Sequence, residues 1–198
     1  KLLALHASTH AGEVWLREKD LGIWISHTWG EVAARVRDMA LGLASLGVAR
    51  GDVVGLIGDN RPEWLMGEIA THALGGMSLG IYRDALADEV AYLITYADVA
   101  VVLAEDEEQV DKLLSLEDRI PTVRHIVYSD PRGIRKYDDP RLISLKELEK
   151  RGAEAHARDT GAYGRMVDAG KGSDVAILCT TSGTTSHPKL AMLTGGAL

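Results

Sequence analysis

The chain has 198 residues, enough for one sizeable core or for part of a larger domain. Its 46% hydrophobic and 26% charged residues are those of an ordinary globular protein, and a formal net charge of −7 argues against a nucleic-acid binder, which needs a basic face. The lone Cys179 excludes an internal disulfide and suits a reducing compartment, and no stretch nears the roughly 20 apolar residues that span a bilayer.

Lys1–His6 carries an apolar patch without the basic start and long apolar core of a secretion signal. Glu13–Arg17 and Ile23–Thr28 are short runs rich in Trp, Val and Ile on either side of Lys19-Asp20-Leu21-Gly22, which predicts a β-hairpin. Thr28-Trp29-Gly30-Glu31 fits a capping box. Val32, Val36, Met39, Ala40, Leu43 and Leu46 then recur at helical spacing before Gly47, so a helix is expected over Trp29–Leu46. Val53–Gly58 reads as a buried strand, Pro62–Leu74 as a helix with proline in its first turn, and Met77–Ile81 as a short strand. Ala87–Tyr96 reads as a helix, Val99–Ala104 as a strand, Glu105–Leu114 as a helix and Val123–Tyr128 as a strand. Ser129–Pro140 is expected as a charged surface loop, Ser144–Arg158 as a helix, Asp159–Asp174 as irregular and Val175–Thr180 as the last clear strand.

Helices and strands alternate, and the strands are apolar throughout. That predicts an α/β fold with a mostly parallel sheet flanked by helices, plus the short hairpin near the N-terminus. The chain starts without Met and ends on the apolar run Met192–Leu198, which suggests a piece of something longer.

The chemistry concentrates in Leu178-Cys179-Thr180-Thr181-Ser182-Gly183-Thr184-Thr185-Ser186-His187-Pro188-Lys189. An apolar strand ends, small hydroxyl residues gather around a glycine, and a lysine closes the segment. Gly183 can turn successive N–H groups to one side, the hydroxyls add donors, and Lys189 adds a compact positive charge; together they could cradle a polyphosphate. Composition alone leaves open a Ser/Thr-rich surface loop. The segment is not the common P-loop, which has glycine before its lysine and Ser or Thr after it; here Pro188 precedes and Leu190 follows. Leu190–Thr194 reads as a strand, where a Walker-type loop would lead into a helix.

Thr181–Lys189 resembles the phosphate-binding signature of the acyl-adenylate-forming (AMP-binding) superfamily, which includes acyl-CoA synthetases, peptide-synthetase adenylation domains and luciferases. Ser186 stands where glycine is commonest, and Leu190 where glycine usually follows the lysine. Trp29-Gly30-Glu31-Val32, Leu46-Gly47-Val48, Gly51-Asp52-Val53-Val54 and Asp59-Asn60-Arg61-Pro62-Glu63-Trp64 resemble the start of the superfamily's large domain. Gly80-Ile81-Tyr82, Glu89-Val90-Ala91-Tyr92 and Glu105–Lys112 look like its long-chain fatty-acid branch.

The resemblance implies the N-terminal part of the large domain over residues 1–198, with the rest of that domain and a C-terminal domain absent. It implies a fatty-acid:CoA ligase that uses ATP, Mg2+ and coenzyme A to make an acyl-adenylate and then a thioester. Thr181, Ser182, Gly183, Thr184, Thr185, Ser186 and Lys189 would hold the ATP phosphates; no catalytic residue and no metal ligand is assigned. An aryl or amino-acid adenylating relative and a non-catalytic nucleotide-binding module stay open. The location implied is cytoplasmic, with peripheral association at the inner face of the membrane and self-association through open sheet edges left open.

Other residues have plainer readings. Cys179 reads as a buried structural thiol and His187 as a solvent-facing spacer. Glu105–Glu108 reads as a solvated helix start rather than a metal site. Trp15, Trp24, Trp29, Trp64 and Tyr82 read as packing residues, and Arg132, Arg135 and Lys136 as an exposed loop balanced by Asp130, Asp138 and Asp139.

Overall fold

The computed structural model describes residues 1–181 and 188–198. Helix α1 (Leu2–Thr9) forms where only an apolar patch was expected. Eight residues are too few for a helix to persist alone in water, so tertiary contact holds it: the His6 ring stacks on Trp29 at 4.8 Å and Leu3 packs against the core. The hairpin is present as β1 (Val14–Asp20) and β2 (Ile23–Thr28), with Leu21 and Gly22 both at positive φ in the two-residue turn.

Helix α2 (Trp29–Ser45) starts on the expected box. The Glu31 N–H donates to Thr28 Oγ1 at 3.2 Å, and the Thr28 N–H donates to the Glu31 carboxylate at 2.8 Å. It stops at Gly47, whose φ of 81° lets the Val48 N–H return to the Leu43 carbonyl at 3.1 Å.

The chain then alternates through β3 (Val53–Ile57), α3 (Pro62–Ala73), β4 (Met77–Ile81), α4 (Ala87–Tyr96), β5 (Val99–Ala104), α5 (Glu107–Leu114) and β6 (His125–Tyr128). It continues through β7 (Leu142–Ser144), α6 (Leu145–Arg158), α7 (Ala162–Asp168), β8 (Val175–Thr181) and β9 (Lys189–Thr194). Among the described residues the main sheet has the order β7-β6-β5-β3-β4-β8-β9, parallel except for the β8–β9 pair. Every residue of β3 and β5 is buried, which is why these strands read as unbroken apolar runs. Helices α4 and α5 cover one face of the sheet; α2, α3 and α6 cover the other.

Strand β7 and helix α7 were not expected. The first has three residues, and the second forms inside a glycine-containing stretch because Tyr163 and Met166 pack against the core. Three burial expectations are corrected. Cys179 is exposed, because β8 buries Ala176 and Leu178 on one side while its other side grows open toward the strand end. Trp24 is 64% exposed on the hairpin, which lies off the main sheet, and Tyr82 is 70% exposed just past the end of β4.

Candidate functional site

In a parallel sheet, ligands gather beyond the carboxyl ends of the strands, where successive crossovers leave in opposite directions. Here β3 leads through α3 on one face to β4, while β5, on the other side of β3, leads through α5 on the opposite face to β6. The crevice between the ends of β3 and β5 is filled by the chain itself. The Glu105 carboxylate accepts the Asp59 N–H at 2.5 Å and Arg61 Nε at 3.3 Å, leaving a cavity of about 30 Å3. The hydrogen bond to Glu105, helped by the charges of Glu105 and Glu18, pushes the Arg61 pKa up against the pull of burial. Arg83 bridges Asp59 at 2.7 Å and Glu108 at 3.2 Å along the same rim.

Strand β8 ends and β9 begins at that carboxyl side, at the two ends of the hydroxyl-rich segment. Thr181 and Lys189 face each other in antiparallel register and mark its two ends. Thr181 Oγ1 donates to the Lys189 carbonyl at 3.2 Å, so its proton is engaged within the strand pair and its oxygen is left to accept. The Lys189 side chain is exposed and enters no ion pair among the described residues. Ser182, Gly183, Thr184, Thr185, Ser186 and His187 lie outside the described residues. After Lys189 the chain continues as a strand, so the lysine does not open a helix as a Walker-type loop requires.

Sequence similarity adds a separate finding. The pattern of the family described as "AMP-binding enzyme" matches residues 4–198. This chain belongs to the AMP-binding enzyme family. It is 30% identical over 173 residues to the long-chain-fatty-acid–CoA ligase FadD15 of Mycobacterium bovis, covering 87% of this chain and 27% of that protein. It is 27% identical over 181 residues to the long-chain-fatty-acid–CoA ligase ACSBG2 of Xenopus laevis, covering 91% and 24%. The chain thus spans about a quarter of the length of these relatives. In fold it resembles the anthranilate CoA ligase AuaEII, with a TM-score of 0.80 at 19% identity over 98% of this chain and 34% of the other. A Mycobacterium tuberculosis fatty acyl CoA synthetase gives 0.72 at 21% identity over 98% and 34%.

Two features of this family member were not legible in its sequence. Tyr92 Oη donates to the Pro188 carbonyl at 3.1 Å, across 96 positions of sequence. At the other end of the sheet, Ser78 is buried between α3, β4 and β8. Its Oγ donates to Glu68 at 3.2 Å, lies 3.3 Å from the Ala176 carbonyl, and sits 2.9 Å from His72 Nε2. Burial raises the Glu68 pKa, opposed by the Ser78 hydrogen bond, and lowers that of His72, opposed by the Ala176 carbonyl.

The remaining residues behave as local structure. Asp106 caps α5 by accepting the Gln109 N–H at 3.2 Å. Arg132 pairs with Asp130, as expected within that loop, whereas Lys136 reaches out of it to Glu107 at 2.7 Å. Among the described residues no group of three or more His, Cys, Asp or Glu side chains could hold a metal ion, and no helix is long and apolar enough to cross a membrane.

Proposed function

We propose that this chain is the N-terminal part of the large domain of a fatty-acid:CoA ligase. The whole protein would join a long-chain carboxylate to the α-phosphate of ATP, release pyrophosphate, and pass the acyl group from AMP to the thiol of coenzyme A. Thr181, Ser182, Gly183, Thr184, Thr185, Ser186 and Lys189 are the residues assigned to the ATP phosphates. The observation that best supports this is Lys189 itself. It follows the hydroxyl-rich segment at the first residue of β9, its side chain exposed and free of ion pairs among the described residues, so its charge is available to an anion. Membership of the AMP-binding family and the names of the curated relatives point to the same chemistry.

The work asked of these residues is positioning and charge neutralisation around the leaving pyrophosphate. Mg2+ would contribute further neutralisation when it arrives with the nucleotide; the described residues show no cluster fitted to hold it, so no step is assigned to a metal bound by this chain. The test is an ATP titration of the full-length protein carrying this chain and of its Lys189→Ala variant. Loss of one charge-assisted contact of about 1.5–3 kcal/mol should weaken ATP binding by roughly one to two orders of magnitude. Equal affinities would remove Lys189 from the phosphate site.

A further inference from the structure

We infer that Tyr92 is a positioning residue for the nucleotide phosphates, acting through the Pro188 carbonyl rather than on the ligand. This rests on the phosphate-gripping role proposed above for Lys189. Tyr92 lies on α4, with its ring packed against the core and stacked on Tyr96 at 5.4 Å and 12°. A ring held on both sides has little rotamer freedom, so its hydroxyl is a fixed point. From there Tyr92 Oη donates to the Pro188 carbonyl at 3.1 Å. That carbonyl belongs to the peptide bond joining Pro188 to Lys189. The proline ring fixes φ on one side of this peptide, and the hydrogen bond fixes the direction of its carbonyl on the other.

The opposite margin of the same strand pair is tied by Thr181 Oγ1 on the Lys189 carbonyl at 3.2 Å. Lys189 therefore leaves a backbone held from two sides, by a helix and by its partner strand. The lysine stem keeps its own rotamer freedom until it meets a phosphate; the fixed base removes the backbone ordering that binding would otherwise also require. Among the described residues β4 and β8 share the Ser78–Ile177 and Leu79–Leu178 register positions, both short of the strand end that carries Thr181 and Lys189. Among the described residues, the Tyr92 hydrogen bond and the packing of Leu190 on the cluster beneath α4 join the helical layer to this end of β9.

The experiment compares Tyr92→Phe with the unaltered full-length protein, titrating ATP, inorganic pyrophosphate and AMP. Phenylalanine keeps the ring and its stacking and removes only the hydroxyl. The expected result is an affinity for ATP and pyrophosphate weakened about fivefold or more, at least the equivalent of one neutral hydrogen bond, with AMP affinity unchanged. A general loosening of the domain would weaken AMP as well, and that result would overturn the assignment. Unchanged ATP and pyrophosphate affinities in Tyr92→Phe, alongside weakened binding in Lys189→Ala, would overturn it while leaving the phosphate site standing. Unchanged ATP affinity in Lys189→Ala would remove both.

Discussion

Helices α2 and α6 meet almost backbone to backbone, and the Gly152→Ala variant measures how much depends on that closeness. A Cβ placed on Gly152 would lie 1.7 Å from the Asp38 carbonyl oxygen and 2.5 Å from its carbon. Across the same seam, a Cβ on Gly42 would lie 2.4 Å from the Leu148 carbonyl oxygen. Two effects of opposite sign compete. Replacing a mid-helix glycine by alanine favours the helix by about 1 kcal/mol. The obstacle, however, is helical backbone, which cannot rotate aside like a side chain, so the helices must separate. That loosens the packing of Leu148, Met39 and Leu43, which are fully buried, at an overpacking cost of about 1–3 kcal/mol or more. The backbone obstacle places the cost at the upper end of that range, so the clash should win and Gly152→Ala should lose roughly 1–2 kcal/mol net of the propensity gain. Urea unfolding followed by tryptophan fluorescence reads this face, because Trp15 and Trp64 pack against the same core cluster. Gly164→Ala in α7 is the control: nothing lies within 4 Å of its new Cβ, so only the propensity term remains and stability should rise by up to about 1 kcal/mol. A Gly152→Ala protein as stable as the original would refute the seam.

Thr28→Ala removes the hydroxyl that accepts the Glu31 N–H and should cost about 1 kcal/mol in the same unfolding assay, with α2 fraying first in hydrogen exchange. The Ser78 network sets a pH dependence. Burial holds folded His72 below its ordinary pKa of 6.5, so unfolded chains take up its proton first and stability should fall as pH drops through about 6.5, by at most about 1.4 kcal/mol per unit. Glu68 acts with the opposite sign at lower pH, because its raised pKa lets the folded state take the proton first. The ionisable side chains that share the cavity beside His72 are Lys1, His6, Lys171 and Asp174. Unfolding midpoints between about pH 7.5 and 5.5 should slope in the original protein and slope less in His72→Gln, where His125, also held down by burial and by Arg124, keeps its share; equal slopes would show that His72 does not contribute.

Elements whose periodicity carries its own signal were readable from residues alone. The capping box at Thr28 and Glu31, the helical stripe from Val32 to Leu43, and the unbroken apolar runs of β3 and β5 each encode local geometry together with the burial that geometry receives. The order of these elements was enough to imply a parallel sheet, and the Thr181–Lys189 signature was enough to suggest the family that the comparison then established. Burial at the margins was not readable. Cys179 looks like a core residue by its neighbours, yet its exposure depends on what covers the outer face of β8. Trp24 and Tyr82 are apolar enough to pack but stay exposed, one on the hairpin off the main sheet and the other just past the end of β4.

Sequence by itself therefore determined the strand and helix alternation of the central sheet, the sheet type and the chemical character of the segment before Lys189, since these follow from short-range pattern and residue chemistry. Only the tertiary structure decided that Tyr92 holds Pro188, that Glu105 fills the crevice beside Asp59, and that Gly152 seats α6 on Asp38. Each of these joins residues tens of positions apart. Such contacts leave no local periodicity, because they are created by how crossovers bring separate elements to one edge or one face.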